Sequence, residues 1–171
     1  MEERNGAATM HGNPLTLLGP ELKVGDRVPD VEVLDNDLNP VKLSSFQGKV
    51  CVVSAVPSLD TPVCDMETRR FNTDAAKLGD NVLVLTVSMD LPFAQKRWCG
   101  AAGVENVTTL SDYRNASFGE KFGVLIKELR LLSRTIFVVD QNGILQYTQH
   151  VKELSEEPDY DAILEAVKKL I

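Results

Sequence analysis

VCVVSAVPSLDTPVC, residues 50–64, changes character halfway along. Its first half is an unbroken run of β-branched and small apolar residues, the pattern of a central strand buried on both faces. A turn follows. Thr61 then stands as a helix N-cap candidate and Pro62 suits a first helical position. Apolar residues recur at Val63, Met66, Phe71, Ala75 and Leu78 until Gly79 stops the helical face. Strand, turn and helix together carry Cys64 into the opening turn of the helix.

Outward from this unit, NVLVLTVSMD (81–90) repeats the buried-strand pattern, and LPFAQKRWCGAAG (91–103) predicts a short helix that starts at Pro92 and bears Cys99. NVTTLS (106–111) predicts another strand, and SFGEKFGVLI (117–126) a glycine-interrupted connection. SRTIFVVD (133–140) and ILQYTQH (144–150) flank Gln141-Asn142-Gly143, whose Asn-Gly pair signals a hairpin. Tyr160, Ile163, Leu164, Val167, Leu170 and Ile171 follow helical spacing, with Lys168 and Lys169 complementing the dipole. On the N-terminal side, NPLTLLGPELKVGDRVPDVEVL (13–34) breaks into short extended pieces, and residues 1–13 are expected to form a flexible tail. The order of elements is that of an α/β layer fold with a mixed sheet. At 171 residues, 43% of them hydrophobic, one domain over 1–171 is expected.

A net charge of −7 leaves no basic face for phosphates, so nucleic acid is not an expected partner. No run approaches the ~18 apolar residues of a membrane span, and the N-terminus carries no apolar leader core, which makes the cytoplasm the simplest compartment, with the periplasm left open. Three cysteines without C-x-x-C spacing, and only two histidines, argue against a disulfide framework and against a metal centre. What remains is thiol chemistry without a cofactor.

With Thr61 as N-cap, Cys64 falls at the third helical position, among backbone N–H groups that lack intrahelical partners and at the positive end of the dipole. Both favour a thiolate, while Asp65 and Glu67 put negative charge near it. Ionisation alone accomplishes little, however. For a thiol taken from a pKa of ~8.5 to ~6, the thiolate fraction at neutral pH rises about 30-fold. Nucleophilicity falls about 13-fold, leaving roughly a twofold gain. A large acceleration requires donors that orient a substrate and stabilise charge on a leaving oxygen. Candidate cations are Arg69, Arg70 and Arg134. The last shares strand parity with Ile136 and Val138, so it either faces the core beside them or ends the strand in water. Cys51, inside the apolar run, is expected to be a packed, inert thiol.

The string Pro57-x-x-x-Thr61-x-x-Cys64 resembles the active-site signature of the peroxiredoxins, and PSLDTPVCDMETRRFN (57–72) is similar to their thiol peroxidase branch. NPLTLLGPELKVGD, SMDLPFAQKRWCGAAGVENV, FGVLI and SRTIFVVDQNG extend the resemblance over nearly the whole chain. It implies a thioredoxin-like fold, with a central mixed sheet flanked by helices and an N-terminal extended or hairpin extension. It further implies a homodimer that reduces hydroperoxides, with thioredoxin as reductant. By matching motif, Cys64 would be the peroxidatic cysteine and Cys99 the resolving one, joined by an intrachain disulfide during turnover. Thr61 would position peroxide, Arg134 would favour the thiolate and polarise the peroxide, and Pro57 would shield the pocket. Trp98 is expected to serve packing or to report oxidation. Phe93, Phe118 and Phe122 are expected at a dimer contact, in an alkyl pocket or in the core. A protein disulfide oxidoreductase or a redox-sensing module on the same fold would use the same two thiols.

Overall fold

The computed structural model describes residues 1–171. Residues 50–55 form β5 (Val50–Ala55), every one of them buried. This strand pairs in parallel with β6 (Val82–Ser88) and antiparallel with β9 (Thr135–Val139). Next to β6 lies β7 (Val107–Ser111), again parallel. One edge is closed by β10 (Leu145–His150), the other by β3 (Glu32–Leu34) and β4 (Pro40–Lys42). The resulting order is β10-β9-β5-β6-β7-β3-β4, a mixed sheet. The two parallel connections are made by α1 (Pro62–Leu78) and α2 (Pro92–Ala102), each with proline in its first turn.

Because side chains alternate along a strand, β5 feeds two cores. Cys51, Val53 and Ala55 join Leu85, Phe137 and the stacked rings of Phe118 and Phe122 on one face. Val50, Val52 and Val56 join Phe71, Trp98, Ile136, Val138 and Cys64 on the other, where α4 (Tyr160–Lys168) adds Ile163 and Val167. Each valine, leucine, isoleucine or phenylalanine among them, fully buried, contributes about 1.5–3 kcal/mol. Phe118 and Phe122 are therefore core aromatics on the face opposite Cys64; Phe93 alone of the three is exposed.

The N-terminal residues depart from expectation. Instead of a loose tail over 1–13, β1 (Glu3–Met10) pairs with β2 (Asn13–Leu18), which pairs in turn with β8 (Leu125–Ile126) in a separate three-stranded sheet. Small and polar residues concealed this strand, since only Ala8 is fully buried, against Leu17, Ile126 and Leu154. The turn is His11-Gly12 with φ of 51° and 81°, the doubly left-handed geometry of a tight hairpin without the Asn-Gly signature. The hairpin is stitched to the segment after β10: Thr9 N–H donates to Lys152 C=O at 2.8 Å and Leu154 N–H to Thr9 C=O at 2.9 Å.

At 117–126 the expected connection contains a short helix, α3 (Ser117–Lys121), followed by β8. Its N-cap, Ala116, has no side-chain acceptor, and Asp112 serves instead, accepting the N–H groups of Phe118 at 3.1 Å and Gly119 at 2.8 Å. The β9–β10 hairpin does turn at Asn142-Gly143, but only Gly143 is left-handed (φ 81°), and its N–H returns to Asp140 C=O at 3.1 Å.

Candidate active site

Three elements of one sheet face converge on Cys64. After β5, the Val56 N–H still donates to Val87 C=O at 3.0 Å, Pro57 is buried, and Ser58–Asp60 turn into α1. Thr61 takes the extended backbone of an N-cap (φ −102°, ψ 148°), but its hydroxyl does not cap the helix. Thr61 Oγ1 donates to Ser58 C=O at 2.7 Å instead. Cys64 has no exposed surface. Its sulfur accepts a hydrogen bond from Arg134 Nη2 at 3.4 Å.

Arg134 stands just before β9 on the side of Ile136 and Val138, and at 1% exposure it is a fully buried guanidinium, not a strand end in water. Nη1 pairs with Glu67 Oε2, and Nη2 also donates to Leu154 C=O at 2.7 Å. Glu67 is itself fully buried and accepts from Ser54 Oγ at 3.1 Å. Burial works against the guanidinium's charge, but Glu67 and the Cys64 sulfur more than offset it, and the Arg134 pKa is raised. Burial raises the Glu67 pKa from its ordinary value, and the adjoining Arg134 and Ser54 pull it back down towards the ionised form.

The charges near Cys64 are thus arranged differently from their sequence order. Glu67 is paired with Arg134 and so anchors the cation that donates to the Cys64 sulfur. Asp65 is engaged elsewhere, accepting from Trp98 Nε1 at 2.8 Å and Arg69 Nε at 2.9 Å. Arg70 pairs with Asp74 at 2.9 Å and lies over Tyr160, so neither helix arginine reaches the sulfur. Spacing could have flagged Glu67, since i and i+3 share a helix face with Cys64, and Ser54 was the hydroxyl at site-face parity in β5. Leu154, contributing only its carbonyl, left no mark in the sequence.

Cys99 lies partly exposed on α2, its sulfur 3.4 Å from Thr109 Oγ1 on β7, and all three cysteines are free thiols. The two helices meet through Trp98 and Asp65, neighbours in sequence of Cys99 and Cys64. Beside that contact a cleft of about 300 Å³ is lined by Leu59, Asp60, Thr61, Pro62, Asp65 and Trp98. Cys51 points to the opposite core, where burial pushes its thiol up to about 11.

The redoxin family profile matches residues 23–164. A thiol peroxidase of Bacillus subtilis is 56% identical over 163 residues, covering 95% of this chain and 97% of its own. One from Staphylococcus aureus is 52% identical over 162 residues, covering 95% and 98%. Among solved structures, a peroxiredoxin-like protein from Aquifex aeolicus superposes with a TM-score of 0.91 at 46% identity, covering 97% of this chain and 98% of that one. A thiol peroxidase from Chromobacterium violaceum shares the fold at a TM-score of 0.85 and 20% identity, with 95% of each chain covered. The chain belongs to the redoxin family and, within the peroxiredoxins, to the thiol peroxidase branch.

Proposed function

We propose that this thiol peroxidase reduces hydrogen peroxide and organic hydroperoxides at Cys64, resolves the product with Cys99, and is recycled by thioredoxin. The observation that carries the proposal is the buried Arg134 Nη2 set 3.4 Å from the Cys64 sulfur and braced by Glu67. The Cys64 thiolate attacks the terminal peroxide oxygen. The O–O bond breaks, the leaving oxygen takes up a proton to depart as water or alcohol, and Cys64 becomes a sulfenic acid. Arg134 polarises the peroxide and offsets charge on the leaving oxygen. Thr61 donates its own proton to Ser58 C=O, which leaves its oxygen lone pairs free to accept the peroxide O–H. Pro57, buried in the turn, shields the pocket from water.

Cys99 then attacks the sulfenic sulfur, expelling water and forming a disulfide, and a thioredoxin dithiol reopens it by exchange, restoring both thiols. A disulfide needs Cα atoms about 4.4–6.8 Å apart, a demanding condition for cysteines on two helices, one of them sealed in the core. Oxidation therefore unfolds the Cys64 turn, the Cys99 helix, or both. The exposed Met66, Leu91 and Phe93 on and beside these helices suit a homodimer contact. No helix is long and apolar enough to cross a membrane.

The test is steady-state peroxide consumption with thioredoxin and its reductase. Cys64→Ser abolishes turnover; Cys99→Ser retains a single turnover and loses thioredoxin-linked recycling. A protein that oxidises once and hands its disulfide to another protein, without turnover, would instead be a sensor, and full recycling without Cys99 would remove its resolving role.

A further inference from the structure

Asp90 lies outside the Cys64–Arg134–Glu67 cluster, in the loop between β6 and α2. Its carboxylate nevertheless holds the loop that leads into α1. Oδ1 accepts from Ser58 Oγ at 2.6 Å, and Oδ2 accepts from Leu59 N–H and from Ser88 Oγ, each at 2.8 Å. The backbone of Asp90 is held as well: its C=O accepts from Ser111 Oγ at the end of β7, and its N–H lies 3.3 Å from Ser88 Oγ at the end of β6. Gln95, fully buried in α2, fixes that same serine by donating Nε2 to Ser88 Oγ at 3.0 Å and to Leu110 C=O at 2.9 Å. Asp90 is thus a rigid acceptor mounted on the carboxyl ends of two strands.

What it grips is the support of Thr61. With its proton committed to Asp90, Ser58 Oγ accepts the Asp60 N–H at 3.2 Å. Ser58 C=O accepts both the Thr61 N–H at 3.1 Å and the Thr61 hydroxyl at 2.7 Å. The direction of the Thr61 proton, and so of its free lone pairs, depends on where that carbonyl points. A charged acceptor makes the stronger kind of hydrogen bond, and here it makes two to adjacent residues of one turn.

We infer that Asp90 is a positioning residue for peroxide reduction, acting through Ser58 and Leu59 to aim the Thr61 hydroxyl at the peroxide. The inference rests on the function proposed above. It assigns Asp90 no contact with substrate and no part in recycling.

The experiment is a double-mutant cycle on single-turnover peroxide consumption, comparing wild type, Asp90→Ala, Thr61→Val and the double variant, with Asp90→Asn alongside. Misplacement of an orienting group by about 1 Å costs on the order of 100-fold, so Asp90→Ala is expected to slow the reaction by about 10- to 100-fold. Asp90→Asn, which keeps one acceptor oxygen, is expected to fall between. Once Thr61 has lost its hydroxyl, losing Asp90 is expected to add little, and the double variant matches Thr61→Val. Losses that multiply would overturn the inference, because Asp90 would then act on stability or on Cys64 itself. So would an Asp90→Ala rate equal to wild type, or unfolding of both Asp90 variants by circular dichroism, which would make the bond purely structural. A wild-type protein inert towards peroxide would overturn the proposed function instead, an outcome visible before any variant is measured.

Discussion

Glu67 is the residue on which the charge arrangement of the site turns. Read along the helix it is an acid three positions from a thiol; in space it is the counter-charge of a buried guanidinium. Removing one member of such a pair leaves the other charge uncompensated in the core, which costs about 3–5 kcal/mol. Glu67→Gln is accordingly expected to lower unfolding free energy by about 3 kcal/mol in urea titrations. Single-turnover peroxide reduction is expected to slow by about tenfold or more as Arg134 loses its brace. Cys51 offers the contrast. With its thiol pushed up to about 11 by burial, it is expected to resist iodoacetamide in the folded protein at pH 8 and to react once urea unfolds the chain, as read by mass spectrometry. The position of Cys64 in the first helical turn was legible because cap position is a local rule; strand parity left Arg134 either in the core or in water, since parity does not say whether a strand end is covered. The Thr61 hydroxyl was not legible, because which acceptor it takes depends on a turn carbonyl fixed by Asp90 from another strand's end.

Among the elements, α1, α2, α4 and the buried strands follow directly from periodicity, prolines and glycines. The N-terminal hairpin does not, since a strand of small and polar residues carries almost no alternation and owes its place to main-chain bonds with residues 152–154. Those bonds bear on chemistry: Leu154, whose N–H is held by Thr9, offers its carbonyl to Arg134. Glu153 reinforces the junction, accepting from Thr9 Oγ1, Gly12 N–H and Ser155, contacts that hold its carboxyl down at about 2. Deleting residues 1–12 is therefore expected to lower the melting temperature by several degrees and to slow peroxide reduction severalfold, in calorimetry and single-turnover assays. A deletion that melts early but reacts at the wild-type rate would separate the hairpin from Arg134.

The short helix α3 carries a pH dependence of its own. Burial raises Asp112 from its ordinary value of 3.8 to about 6, against the two N–H groups it caps. Between about pH 4 and 6 the folded protein holds this proton more tightly than the unfolded chain, so the contribution is present at low pH and lost as pH rises through that window. Two pKa units correspond to about 3 kcal/mol. Relative to Asp112→Asn, wild type is expected to lose stability of that order between pH 4 and 7 in urea titrations; a constant difference would show that Asp112 ionises freely.

For the molecule as a whole, the sheet is a partition. One face carries Cys64, Cys99, the Arg134 cation and helices α1 and α2; the other holds Cys51 and the stacked phenylalanines in a separate core. The layered α/β arrangement was legible because β5 and β6 are apolar at every parity, the pattern of strands covered on both sides. The partition of residues between faces followed from parity once the strands were placed. The attachment of the hairpin and the length of the sheet beyond β7 did not, because β3 and β4 are only three residues each. Their brevity has a consequence for the opening proposed to accompany oxidation. β4 ends the sheet with Pro40 and Lys42, one without an N–H to offer and the other a charge no incoming strand would welcome. That border is thus a poor template for an incoming strand, and a molecule that opened on oxidation would be disfavoured from stacking on a neighbour there.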